Sequence, residues 1–192
     1  SDKEADLKDW KNFLKKYKNP KRKVEIALVG KYVSLQDSYK SIAEAFIHAG
    51  ADLETEVKIR WVYSGEIEAD NIQETFEGVD GMLIAPGFGD RGIEGKIAAA
   101  KYARENNIPL LGICLGMQIM TIEFARNILG YKKANSMEFD TSTPEPVISL
   151  MEEQKNVVDK GGTMRLGAWK CSLKNGSKLH EIYGTKNISE RH

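Results

Sequence analysis

The 192-residue sequence has only two cysteines, Cys114 and Cys171, too few for a disulfide framework and too few by themselves for a zinc cage. Each must be judged as a single thiol. It has no net charge, because 28 Lys plus Arg balance 28 Asp plus Glu, and that leaves no field to hold a polyanion and argues against a nucleic-acid binder. It has no long hydrophobic run: the longest, Ile108 to Met117, is about half of the ~20 residues a bilayer-crossing helix needs, so no membrane partner is expected. The first residues, SDKEADLKDW, lack the apolar core of a signal peptide, and a cytoplasmic location is expected. No internal repeat is visible. What is present, 41% hydrophobic and 29% charged residues, is the composition of a globular domain. A chain of this length suits one domain, at roughly 100 to 200 residues each.

Along the chain, Leu7, Trp10, Leu14 and Tyr17 share one face of a short helix over Asp6 to Lys18, closed by Pro20. Eight basic residues lie between Lys8 and Lys23; in a neutral chain they read as a solvated helix face and linker rather than an anion-binding patch. From Val24 short apolar runs alternate with helical stretches, the pattern of βα units around a mainly parallel sheet. Strands are expected at Val24 to Gly30, Val57 to Tyr63, Gly81 to Pro86 and Ile108 to Cys114. Helices are expected from a cap at Asp37 or Ser38 to Gly50, with Tyr39, Ile42, Ala43, Phe46 and Ile47 facing inward, and at Ile67 to Glu77, Glu94 to Asn106 and Leu115 to Ile128. Beyond Gly130 the runs Val147 to Leu150 and Arg165 to Leu173 suggest antiparallel strands added to the sheet edge. Glu152 to Gly162 has the composition of a connecting loop, and Ser177 to Tyr183 that of a last short helix.

Chemistry concentrates in LLGICLGMQI, where Cys114 stands between Gly112 and Gly116 at a strand-to-helix boundary. This is the thiol counterpart of the G-x-S-x-G elbow, which turns sharply and presents a nucleophile at the carboxyl edge of the sheet. The helix starting at Leu115 points its free N–H groups at the sulfur and favours the thiolate. Cys171, with Trp169 and Leu173 at period two, reads as an ordinary strand residue. A second glycine-rich run, PGFGDRG (Pro86 to Gly92), follows the third strand. Gly87, Gly89 and Gly92 match G-x-G-x-x-G, but on the wrong strand and without the acidic residue a dinucleotide site requires. A Walker loop fails as well, because Ile97 follows Lys96 and Asp90 stands where the first glycine belongs. What remains is a loop whose backbone can approach a ligand. If its strand neighbours the one ending at Cys114, the N–H groups of Gly87 and Leu115 together hold the oxyanion formed when the thiolate attacks a carbonyl. Of the three histidines, His48 and His180 read as surface or packing residues and His192 is the last residue, so the proton shuttle is not found.

PGFGDRG, ENNIPLLGICLGMQ, NSMEF and GGTMRLG, in this order, with GKYVSLQDSYKSIAEA near the start, resemble the class I glutamine amidotransferase domain of the CTP synthase family. The resemblance covers essentially the whole chain and implies a flavodoxin-like α/β fold. Residues 1–22 would be a linker helix from an upstream synthetase domain, and 23–192 the amidotransferase domain. It implies that Cys114 attacks the side-chain amide of L-glutamine, releases ammonia and forms a thioester that water hydrolyses. Gly87 and Leu115 would be the oxyanion donors. Leu115, Gly116, Met117 and Gln118 would line the glutamine site, and Glu138 of NSMEF would bind the substrate ammonium. No cofactor is implied in this domain; magnesium and ATP belong to the synthetase domain, which aminates UTP, and GTP is the implied allosteric activator, acting near Arg91. A homo-tetramer is implied for the full-length enzyme. Two departures are visible. Pro86 replaces the first of two glycines in the loop, and the family's His-x-Glu pair does not occur, so a chain shortened at its carboxyl end and inactive in turnover is expected. Two other readings of such a thiol are a DJ-1-type cysteine hydrolase and a non-catalytic regulatory module of the same fold.

Overall fold

The computed structural model describes residues 5–151 and 167–191, and the chain divides into two compact units, 1–149 and 150–192. In the first unit α1 (Lys8–Lys18) is followed by β1 (Arg22–Gly30), α2 (Lys40–Asp52), β2 (Thr55–Tyr63), α3 (Ile72–Phe76) and β3 (Gly81–Ile84). Then come α4 (Ile93–Glu105), β4 (Leu110–Gly112), α5 (Leu115–Asn127), β5 (Ala134–Ser136) and β6 (Glu145–Ile148). The second unit holds β7 (Ala168–Ser172), α6 (Lys178–Tyr183) and β8 (Asn187–Arg191).

The central sheet is parallel throughout, in the order β2-β1-β3-β4. This is the expected flavodoxin-like layout. The chain leaves β1 toward one edge and later returns to its other side at β3, so the crevice above the carboxyl ends of β1 and β3 is the natural ligand position. Both faces of the sheet are covered at its centre, which is why β1 and β3 read as nearly unbroken apolar runs, while the edge strand β2 alternates apolar with charged residues. Ala27, Val29 and Met82 pack with Phe76, Ala99 and Ala103 on one face. Leu28 and Leu83 pack on the other with Tyr39, Ile42 and Phe46. Ile93, Ile97 and Ala100 of α4 meet Leu115, Ile119 and Ile122 of α5 over Ile84. The two helices are also tied by Arg104, whose Nη2 donates to Glu123 Oε1 at 2.8 Å.

Several sequence expectations are corrected. Asp37 and Ser38 do not cap α2; residues Gln36–Tyr39 form a 3-10 turn, and the helix starts after Tyr39 without a side-chain cap. Tyr39 is recruited elsewhere: its hydroxyl oxygen accepts the Lys31 and Tyr32 N–H groups at 3.0 and 3.2 Å. The helix expected over Ile67 to Glu77 shrinks to five residues. Asn71 competes for the backbone there, accepting the Glu68 N–H at 2.9 Å and donating to the Glu66 carbonyl at 2.7 Å. The strands after Gly130 do not extend the central sheet antiparallel. β5 and β6 pair parallel with each other, with Val147 and Ile148 packed on the α4–α5 core, and β7 pairs antiparallel with β8 inside the second unit. On α1 the half-buried apolar residues are Phe13 and Leu14, while Leu7, Trp10 and Tyr17 stay about half exposed. The basic residues around it pair on the surface, Lys16 with Asp52, Lys21 with Glu54 and Lys23 with Glu56. The last short helix is as expected, with Ser177 Oγ accepting the His180 N–H. The expected loop Glu152 to Gly162 and most of GGTMRLG lie outside the described residues.

Candidate functional site

Cys114 sits at the join of β4 and α5 with φ 54 and ψ −108, one of three non-glycine residues with positive φ among the described residues. Such backbone is held only where the surroundings over-determine it. Here the two flanking glycines do so. A Cβ on Gly112 would run into the backbone of Gly116, and a Cβ on Gly116 would run into the carbonyl of Ile84 on β3. The helix therefore starts in direct contact with the neighbouring strand, and the chain reaches it from β4 through the corner that Cys114 occupies. The turn is closed by the Gly116 N–H donating to Ile113 at 2.8 Å and the Met117 N–H donating to Cys114 at 3.0 Å. The thiol is exposed, as a nucleophile must be.

β3 does pair with β4, in the register Ile84 to Gly112, so the loop after β3 lies beside the corner. A Cβ at Gly87 would lie 3.5 Å from Leu115 Cδ2, which places the glycine against the first residue of α5. Neither the Gly87 nor the Leu115 N–H donates a hydrogen bond among the described residues. Two free amide donors beside an exposed thiol are the makings of an oxyanion hole.

Three side chains from three other parts of the fold hold this loop. Lys96 Nζ donates to the Ala85 carbonyl at 3.4 Å, Lys31 Nζ to the Phe88 carbonyl at 3.0 Å, and the Gly89 N–H donates to Glu138 Oε1 at 2.9 Å. Glu138 is itself set by a tight turn in which Ser136 Oγ accepts the Glu138 N–H at 3.1 Å. Lys96 is 1% exposed, and burial, with Lys31 nearby, lowers its pKa to about 8, while the charge of Cys114 pulls the other way. The sequence does not single out Lys31, and it offers Lys96 only as the lysine of a Walker loop that fails. A signal is present for Lys96, which falls between Ile93, Ile97 and Ala100 on the buried face of α4.

The remaining expected residues divide. Leu115 and Gly116 are buried and offer the site only backbone. Gln118 Oε1 is buried without a hydrogen-bond partner, an acceptor left open. Met117 is half exposed and lines an apolar trough of about 520 Å³ with Leu111, Phe124 and Tyr131, on the β4 edge beside the corner. Arg91 is exposed, its guanidinium carbon 5.7 Å from the Tyr32 ring centre. His48 packs at a tilt against Phe13 of α1 with ring centres 5.2 Å apart, the packing role expected of it, and His192 lies outside the described residues. Among the described residues no three His, Cys, Asp or Glu side chains converge on a possible metal position. Among them, too, no helix is long and apolar enough to cross a membrane.

The chain is similar to known proteins. The family model for glutamine amidotransferase class-I matches residues 34–192. CTP synthase of Flavobacterium johnsoniae is 63% identical over 187 residues, covering 97% of this chain and 35% of that protein. CTP synthase of Bacillus subtilis is 52% identical over 190 residues, 99% of this chain and 36% of the relative. The chain thus spans about a third of the length of these curated relatives. Among solved structures, the glutaminase domain of Trypanosoma brucei CTPS with bound acivicin superposes with a TM-score of 0.80 at 38% identity, over 88% of this chain and 66% of that one.

Proposed function

The chain belongs to the class I glutamine amidotransferase family, and from that premise we propose that it is the glutaminase domain of a CTP synthase, with Cys114 as nucleophile. The observation that carries this reading is the exposed thiol at a positive-φ corner beside two unused amide donors. The thiolate adds to the side-chain carbonyl carbon of L-glutamine, and the carbonyl oxygen becomes an oxyanion facing the Gly87 and Leu115 N–H groups. Collapse expels the amide nitrogen, which takes up a proton and leaves as ammonia. Water then cleaves the glutamyl thioester to glutamate and regenerates the thiol. Gln118 supplies its open acceptor to the substrate, and Glu138 receives the substrate ammonium beside the loop it already holds.

In the same reading, residues 1–22 lead in from a synthetase domain, which uses ATP and magnesium to aminate UTP with the ammonia produced here, in a cytoplasmic tetrameric enzyme that GTP activates. No step of the glutaminase reaction passes through those groups. The 192-residue sequence contains no His-x-Glu pair, so covalent capture rather than turnover is the test for these residues. Acivicin or diazo-oxo-norleucine is expected to add once per chain, on Cys114, as read by peptide mass mapping. Labelling of Cys171 instead, or of neither thiol, removes the nucleophile assignment and leaves a non-catalytic module of the same fold.

A further inference from the structure

We propose that Lys96 is a positioning residue for the thiol chemistry: its buried ammonium group anchors the start of the oxyanion loop at Ala85 and electrostatically supports the anion that forms at Cys114. The proposal rests on the glutaminase reading for its purpose, but its physical content, a coupling between one amine and one sulfur, is measurable without glutamine.

The argument begins with burial. A lysine is almost never fully buried unless it is paired, because taking an ammonium out of water is costly. Lys96 is 1% exposed, yet its one hydrogen bond is long, 3.4 Å to a neutral carbonyl, and it forms no ion pair among the described residues. Its neighbours on α4, Ile93, Ile97 and Ala100, belong to an apolar cluster that a leucine or methionine would join at no electrostatic cost. A lysine placed there is explained if an anion arises within reach of it. The position supplies one. The Nζ would be 3.9 Å from a Cβ on Gly87, the residue whose amide faces the forming oxyanion, and Gly87 in turn lies against Leu115, which follows Cys114.

The charged groups acting on Lys96 are Lys31, from the segment after β1, and Cys114, from the head of α5; β3 presents its Ala85 carbonyl, and the other charged groups that α5 turns to α4, Glu123 and Arg126, are paired with Arg104 and Glu94. Burial and Lys31 disfavour the ammonium, and an anionic Cys114 favours it. Because coupling is reciprocal, the ammonium must favour the thiolate by the same free energy. The carbonyl bond adds a mechanical role: the loop that carries the Gly87 donor leaves β3 at the residue Lys96 holds.

The test is a titration of Lys96 by NMR, with ¹³C-labelled lysine side chains, in the full chain carrying Cys171→Ser so that a single thiol remains. The Lys96 signal is followed against pH before and after Cys114 is capped with iodoacetamide, which replaces a potential anion by a neutral thioether. The expected result is a fall in the Lys96 midpoint of about half a unit or more on capping. An unchanged midpoint overturns the proposal, whatever becomes of the glutaminase reading, since acivicin capture reports on that reading separately. A second arm follows the pH profile of Cys114 alkylation: Lys96→Met is expected to move its midpoint upward by a similar amount, and Lys96→Arg to move it less. A Lys96→Met profile that coincides with that of the parent protein also overturns the proposal. If Lys96→Met does not fold, the capping titration still decides.

Discussion

Two adjacent strands of this sheet end in opposite ways. After β4 the chain turns at once into α5, and the corner at Cys114 is fixed by backbone against backbone, Gly112 on Gly116 and Gly116 on Ile84, with no side-chain tether required. After β3 the chain wanders through Pro86 to Gly92 before α4 begins, and that loop is fixed by side chains reaching in, Lys96, Lys31 and Glu138. The proposed nucleophile is thus set by steric exclusion, and the proposed oxyanion donor by hydrogen bonds, which can be shortened, lengthened or lost one at a time. A site built this way keeps its sulfur in place while its loop answers to whatever touches those three side chains.

The comparison breaks most severely at the sulfur itself. In a protein that includes the family's His-x-Glu pair, Cys114→Ser is expected to lower glutaminase kcat by about a thousandfold or more, read as ammonia release; a loss under about tenfold would refute the nucleophile role. Next is the corner's backbone. Gly116→Ala puts a methyl group into the backbone carbonyl of Ile84, so strand or helix must shift. We expect a loss of about 3 kcal/mol in urea unfolding, with the slope unchanged. A loss within about 0.5 kcal/mol would mean that the corner is not sterically fixed.

The corner was legible in the sequence and the loop's fastening was not, for the same physical reason. A steric device is local: Gly112, Cys114 and Gly116 lie within five residues, and their spacing alone names the turn. The strands β1, β3 and β4 and the helices α2, α4 and α5 were legible on the same grounds, since periodicity and glycine are local signals. Tethers are long-range. Lys31 and Phe88, or Gly89 and Glu138, meet only because β1, β3 and the turn after β5 converge, which no window of sequence contains. The parallel pairing of β5 with β6 escaped for that reason too. Lys96 is the instructive exception. The sequence offers it only as the lysine of a Walker loop that fails, although its place on the apolar stripe of α4 marks it as buried.

The loop side yields smaller effects. Lys96 titrates at about 8 in the folded protein against an ordinary 10.5. Between those values the unfolded chain still binds a proton that the folded chain has released, so stability rises with pH there. Wild type is therefore expected to gain on Lys96→Met as pH climbs from about 8 to 10.5, seen as converging or crossing urea midpoints, with no such trend between pH 6 and 7. Two parallel curves over the whole range would show that the ammonium is not buried in solution. Gly89→Ala tests the loop backbone: its φ of 74 suits glycine, but the Cβ would meet only Lys31 Nζ at 3.7 Å. The expected cost is about 1 kcal/mol, a third of that at Gly116.

The mildest change separates positioning from stability most cleanly. Lys31→Met removes one half-buried tether, to a carbonyl on a loop whose Phe88 is 78% exposed, and opens no cavity. Unfolding free energy is expected to move by less than about 0.5 kcal/mol. The rate of acivicin capture is expected to fall several-fold, because the loop carrying the Gly87 N–H loses its fastening at Phe88 and samples positions from which that amide no longer meets the oxyanion. Simple alkylation by iodoacetamide, which makes no oxyanion, should not slow in the same way. Equal slowing of both reagents would place the effect of Lys31 at the sulfur instead, and the division between a sterically set nucleophile and a tethered donor would have to be redrawn.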